Sequence, residues 1–181
     1  MLLNYPLREE DFLTHQLYIA SQSDRIRKRR IKDKLILPII YAVLGGIFLY
    51  MDDPILGFSF IAFGVLWFFI YPLWERKRYV QHYRDFINEH YKERLDKEAY
   101  LEIGDDFFIT KDEASEGKVA TTQIKEIVEL PDLILVILYG GVSFLIPKNR
   151  LDTIDEVIEK LKHIANNLKI PYELKSSWQW R

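Results

Sequence analysis

RIRKRRIKDKLILPIIYAVLGGIFLYM, residues 25 to 51, sets seven basic side chains in ten positions directly against seventeen residues without a charge. Taken alone, Arg25, Arg27, Lys28, Arg29, Arg30, Lys32 and Lys34 suggest a nucleic-acid arm or a localisation signal. The apolar neighbour points elsewhere. A helix over 35–51 rises about 1.5 Å per residue and reaches roughly 26 Å, near the lower limit for a bilayer core. Residues 55–74 supply a second apolar segment of 20 residues, about 30 Å as a helix. Only Asp52, Asp53 and Pro54 lie between the two. So short a turn forces the helices antiparallel, which predicts a transmembrane helical hairpin over 35–74. The competing reading is a pair of buried helices in a soluble core, and it leaves the matching charged flanks unexplained.

Composition supports the division. The mean hydropathy of −0.11 looks soluble, but the average conceals segregation. Residues 35–74 hold two charged side chains, Asp52 and Asp53, while the other 141 residues carry fifty. Residues 99–181 hold ten bases and fourteen acids, so the C-terminal part is acidic. That argues against a nucleic-acid partner, because phosphate contacts need a basic face. The chain has no cysteine, which excludes disulfides, thiolate metal sites and cysteine nucleophiles. The first 24 residues, with Glu9, Glu10, Asp11 and Asp24, lack the apolar centre of a cleavable signal.

The flanks give an orientation. Seven bases precede the first span, and Arg76, Lys77, Arg78 and Arg84 follow the second. The turn between the spans carries only aspartates. Lys and Arg are retained in the cytoplasm, so both termini are expected there, in a bacterial inner membrane, with the DDP turn outside. Tyr50, Tyr71 and Trp74 fall near the expected interfaces. The basic stretch then reads as a retention signal that also rests on anionic lipid, at about 1 kcal/mol per residue near the surface. Ala42, Gly45 and Gly46 on the first span, and Gly57, Ser59 and Gly64 on the second, permit close helix packing, within the hairpin or between chains.

Outside the spans, MLLNYPL at 1–7 reads as a strand stopping at Pro6. A helix opens at REED (8–11), carries Phe12, Leu13, Leu17 and Ala20 on one face, and runs on through the basic stretch, so 1–34 is a strand plus a basic amphipathic helix. Beyond Trp74, apolar residues recur at helical spacing to Leu95, a cytoplasmic extension over 75–98 that would connect membrane and soluble parts semi-rigidly. From 99 the texture is that of short strands and tight turns: YLEI, GDD, FFIT, a turn at SEGK (115–118), VATT, IKEIVEL, LPD, LILVILY, GG and VSFLIP. LDTIDEVIEKLKHIANNL follows as an amphipathic helix capped by Asp152 or Thr153. The expected class is α+β, with a small antiparallel barrel closed at one end by this helix, over 99–171. An aromatic tail, 172–181, ends the chain. Trp178 and Trp180, with Lys175 and Arg181, suit either a membrane interface or a cover for an exposed strip of barrel.

This order of parts resembles the YcxB-like family of small bacterial membrane proteins. The resemblance rests on LREEDFLTHQLYIASQSDRIRKRR at 7–30, on the hydrophobic pair, and on TTQIKEIVELPDLILVILYGGVSFLIPKNRL at 121–151 followed by a helix. The Ile146–Pro147–Lys148 element is the most characteristic. One departure is Thr122, where many members carry tryptophan. The resemblance implies a pleckstrin-homology-like C-terminal domain and supplies no reaction or catalytic residue.

Chemistry-bearing patterns are sparse. His82, Asp85 and Glu89 share a helical face at spacings that suit a metal, but the helix is charge-dense and reads as a solvated face. His15 and His163 lack a companion ligand in sequence. Asp105–Asp106 beside Gly104 and Gly140–Gly141 read as turns. No ionisable group stands at mid-span depth, where an ion pump would need one. The expectation is a non-enzymatic membrane protein without metal or cofactor, presenting a cytoplasmic module that binds a protein partner or itself. The alternative is an oligomeric effector or channel gated by that module.

Overall fold

The computed structural model describes residues 1–111 and 116–180. They form two compact units: Met1–His15 with Arg84–Gln179, and Gln16–Tyr83 with Trp180. The unit boundaries fall inside helices, so the elements are given first in chain order.

Strand β1 (Leu2–Pro6) precedes helix α1 (Glu9–Gln22). Glu9, Glu10 and Asp11 occupy the first turn, where carboxylates meet the positive helix end. Asp11 also reaches back to accept from the Arg8 backbone N–H at 2.7 Å, half of a capping box. The single helix expected through the basic stretch is instead broken. Ser23 adopts an extended conformation, and its hydroxyl accepts from Ile26 N, capping a new helix, α2 (Asp24–Tyr50). Serine favours this cap over a helix interior because its side chain competes for backbone donors.

Helix α3 runs over Pro54–His90. The turn before it is legible in its sequence. Asp52 takes the left-handed conformation at φ 58°, which aspartate tolerates better than most residues. Asp53 accepts from Leu56 N at 3.1 Å as an N-cap, and Pro54 fills the first helical position, where no N–H is needed. Helix α3 stops at His90, short of the expected Leu95; a 3-10 turn (Lys92–Arg94) follows.

Both α2 and α3 are long and apolar enough to cross a membrane. Only 6% and 17% of their apolar windows are buried. That differs from core helices of a soluble protein, whose apolar faces are covered by the rest of the chain.

The other unit is α+β. Its first sheet has the order β1-β2-β3-β4, with β2 (Glu98–Ile103), β3 (Phe107–Lys111) and β4 (Glu116–Ala120), all antiparallel. The N-terminal strand thus pairs with a strand from beyond the hairpin, with Leu3 opposite Leu101. The expected SEGK turn is displaced: residues 116–118 stand in β4, and Ser115 lies outside the described residues. The second sheet has the order β7-β6-β5-β8, with β5 (Ile124–Glu129), β6 (Leu133–Leu138), β7 (Ser143–Pro147) and β8 (Tyr172–Leu174), and β8 runs parallel to β5. Helix α4 (Ile154–Leu168) lies between β7 and β8 in sequence. Thr153 stands at its cap position without a side-chain capping bond.

The two sheets do not close into the expected barrel. The chain passes from β4 to β5 through a 3-10 turn (Thr121–Gln123), and the outer edge of β5 is taken by β8: Pro171 O accepts from Ile127 N, and Lys175 N donates to Glu129 O. The free edge of β1 is blunted by Pro6, which has no N–H and whose carbonyl accepts from Arg150.

One core joins both sheets and α4. Leu101, Ile103 and Phe108 meet Ile127, Ile134, Val136 and Ile146, while Val157, Leu161 and Ile164 close over them. All six residues of β6 are buried. That explains why LILVIL shows no alternation: a strand covered on both faces reads as a continuous apolar run.

Candidate functional site

The helical hairpin divides its small residues between two tasks. A Cβ on Gly45 would stand 2.8 Å from Ile61 Cγ1 and 2.9 Å from the Gly57 carbonyl oxygen. On Gly57 it would meet the Leu49 side chain at 2.6 Å, and on Gly64 the Tyr41 Cβ at 3.2 Å. These three glycines therefore set the α2–α3 approach, with Phe48 stacked on Phe60 beside them at 5.3 Å between centroids. Ser59 turns its hydroxyl to the Ile55 carbonyl in its own helix. Ala42 and Gly46 are different: both are exposed, and Gly46 has nothing within 4 Å of a built Cβ.

The basic residues also separate. Arg25, Arg27, Lys28, Arg29, Lys32, Arg76, Lys77 and Arg78 are exposed. Arg27 pairs with Asp24 at 2.7 Å, and Arg78 lies over the Trp74 ring at 4.7 Å. Lys34 lies over the Phe68 ring at 3.9 Å. Arg30 is turned inward. Its Nε donates to Glu75 at 3.0 Å, and its guanidinium lies 4.7 Å from the Trp180 ring centroid. Glu75 is 4% exposed on its side chain and also accepts from Tyr71 OH. Trp180 is buried against Tyr79 as well, 5.5 Å between centroids, and its indole N–H has no hydrogen-bond partner among the described residues. The end of the aromatic tail is thus a buried part of the hairpin's own unit; Arg181 lies outside the described residues. Glu75 was missed in sequence because it sits among Arg76, Lys77 and Arg78 and reads as one more exposed charge.

In the α+β unit, three polar groupings stand out. Arg150 donates to both carboxylate oxygens of buried Asp11, at 3.0 Å through its second terminal nitrogen, and to Pro6 O at 2.8 Å. It fastens the N-terminal segment to the chain after β7. Its Nε is buried without a partner among the described residues.

Glu129 is 7% exposed at the end of β5. Lys148 of the IPK element donates to one of its oxygens at 2.8 Å, and Tyr172 OH donates to the other at 2.6 Å. Burial works against the Glu129 charge, but the hydrogen bonds from Lys148 and Tyr172 and the lysine charge outweigh it and hold the carboxyl below its usual range. Burial, then the hydrogen bond to Glu129, push the Tyr172 phenol above its usual range.

His15 Nε2 lies 3.1 Å from Ser143 Oγ. Burial lowers its pKa to about 4, so the ring is neutral at pH 7. A histidine beside a serine hydroxyl is half of a nucleophile–base arrangement. Among the described residues His15 makes no hydrogen bond to a carboxylate that would orient it.

His82, Asp85 and Glu89 do not gather. Among the described residues no three histidine, aspartate or glutamate side chains stand together to hold a metal ion. Asp105 pairs with Lys160, whose hydrogen bond and charge hold its carboxyl below the usual range, and the Asp105 and Asp106 carbonyls both accept from Thr121 Oγ1. Gly141 has φ +79°, the left-handed turn conformation that favours glycine. No known family model, curated protein or solved structure matches this chain.

Proposed function

We propose that this chain is a non-enzymatic integral protein of the bacterial inner membrane, of YcxB-like type, whose α+β unit is a cytoplasmic pleckstrin-homology-like interaction module. The observation that carries this reading is the exposure of the two apolar helices. Ile39, Val43, Phe58, Phe63 and Phe69 all point away from the rest of the chain, and hydrocarbon is the solvent that accepts such a surface. At roughly 25 cal/mol per Å² of apolar area, leaving so many large side chains in water is costly, which supports a hydrocarbon surround.

Strand pairing supports the topology. Residues before the hairpin (β1) and after it (β2) share one sheet, which supports a topology with both termini on one side of the bilayer. The exposed bases flanking the two apolar helices support the cytoplasm as that side, on anionic lipid. The module's partner is a protein or another copy of the chain; its acidic balance argues against nucleic acid.

The absence of native cysteine makes a clean test. Met51→Cys in the hairpin turn should react with an impermeant thiol reagent on intact cells, and Gly140→Cys in the β6–β7 turn should react only after lysis. Labelling of Gly140→Cys on intact cells refutes the orientation.

A second reading, an oligomeric effector or channel, is favoured by Ala42 and Gly46, whose open faces suit close packing of α2 on α2 of another copy. A monomer in mild detergent, with liposomes that stay tight, rejects it.

A further inference from the structure

Strand β8 differs from the other strands of its unit. It has three residues and runs parallel to its neighbour. It adds to the edge of β5 through Ile127 N, which donates to Pro171 O at 2.9 Å, and through Glu129 O, which accepts from Lys175 N at 2.8 Å. Tyr172 OH donates to Glu129 Oε2 at 2.6 Å, and Lys162 lies over the Tyr172 ring at 5.5 Å. Ile170 and Tyr172 pack partly buried against the core, but Leu174, opposite Glu129 in register, is 64% exposed, so apolar burial holds the start of this strand and not its end.

The receiving side is built. Lys148 fixes one oxygen of the buried Glu129 carboxylate and also donates to Leu130 O. The other oxygen then requires an O–H or N–H donor, because a buried acceptor left unmade is costly. The chain reaches β8 through the C-cap of α4, where Lys169 takes the left-handed conformation at φ 55°, ψ 38° and Ile170 N donates to Ala165 O at 3.0 Å. A strand edge, a prepared acceptor and a short parallel occupant are the parts of a peptide site filled in cis.

We infer that the edge of β5, with Glu129 and Lys148, binds an extended partner segment carrying a tyrosine where Tyr172 stands, and that the tail 171–175 is its built-in competitor. This rests on the interaction-module reading and names its site. The phenol must be unmodified, because a phosphate would face the Glu129 carboxylate. Regulation follows from competition: the site opens when the tail is displaced.

The probe is a fluorescein-labelled peptide of residues 170–178, IPYELKSSW, added to the full chain in nanodiscs and read by anisotropy. Glu173→Pro interrupts β8 at its centre by removing an N–H and should raise probe affinity about tenfold or more over wild type. Tyr172→Phe in the chain, a milder way to loosen the tail, should raise it in the same direction. A probe with phenylalanine for its tyrosine should bind about tenfold more weakly, the scale of a hydrogen bond to a charged acceptor, and a phosphotyrosine probe should not bind. Glu129→Gln combined with Glu173→Pro should lose the preference for tyrosine over phenylalanine. Equal probe affinity for wild type and Glu173→Pro overturns the proposal, as does equal affinity of the tyrosine and phenylalanine probes. A dimer that the probe converts to monomers also overturns it, by assigning the site to the tail of a second copy. Failure of the probe while the cysteine labelling holds removes this site and leaves the membrane-anchored module standing.

Discussion

Lowering the pH from 7.5 to 5.0 should loosen the α+β unit, and His15 sets the size of the effect. The ring lies against Ser143, and burial alone brings its pKa from 6.5 to about 4. Between those two values the unfolded chain binds a proton that the folded chain refuses, so stability rises with pH across the window and is lost as pH falls from 6.5 toward 4. Over the interval 7.5 to 5.0 the difference in proton uptake is worth about 2 kcal/mol, from 1.36 kcal/mol per pKa unit. That is about a thirtyfold change in the opening equilibrium. His15→Gln keeps a nitrogen near the Ser143 hydroxyl and cannot take up the proton. Hydrogen exchange, read by mass spectrometry on peptides from β5 to β7 and corrected for intrinsic rate, should show wild type losing about thirtyfold protection at pH 5.0 relative to His15→Gln. Identical pH dependence in the two proteins refutes the assignment of a buried neutral His15.

Three further outcomes are expected. Gly45→Ala, whose new methyl meets the Gly57 carbonyl at 2.9 Å, should destabilise the hairpin by roughly 1–3 kcal/mol, while Gly46→Ala should be neutral within about 0.5 kcal/mol; steric-trapping measurements of hairpin unfolding in micelles reverse this order only if Gly46, not Gly45, faces α3. Arg30→Met leaves the Glu75 carboxylate buried without its cation and should cost about 3–5 kcal/mol, and adding Glu75→Leu should recover most of it; an additive double variant in the same measurement rejects the coupling. Asp11→Asn should free the N-terminal segment from Arg150 and speed exchange of the β1 amides well beyond those of α4, and uniform acceleration across the unit would mean that Asp11 is not a local clasp.

The hairpin was legible in the sequence because its determinants are local. Span length, the charge-free run and the flanking bases act within a stretch of chain no longer than the span itself, and the DDP turn follows from residue chemistry alone: an aspartate that tolerates positive φ, an aspartate cap, a proline at the first helical position. The strands of the α+β unit were equally visible for their texture. Even the break at Ser23 had a local signal, a serine before an aspartate, which the continuous run of basic residues obscured.

What the sequence could not determine was which edge meets which. β1 pairs with β2 across the whole hairpin, Arg150 reaches Asp11 139 positions away, and β8 occupies the β5 edge that a closed barrel would have needed. Such choices depend on competition among edges with similar backbone groups; Pro6 withholds an N–H at the β1 edge, and Tyr172 adds a bond to Glu129 at the β5 edge. The charges followed the same rule. By sequence Arg30 belonged with its basic neighbours and Glu75 with a solvated flank, and only the packing of α2 on α3 set them together out of water. Local pattern determined that the chain carries a hairpin and a module of strands; the tertiary structure decided which charges are buried, which glycines are used, and where the tail is bound, because those depend on neighbours that the order of residues does not place side by side.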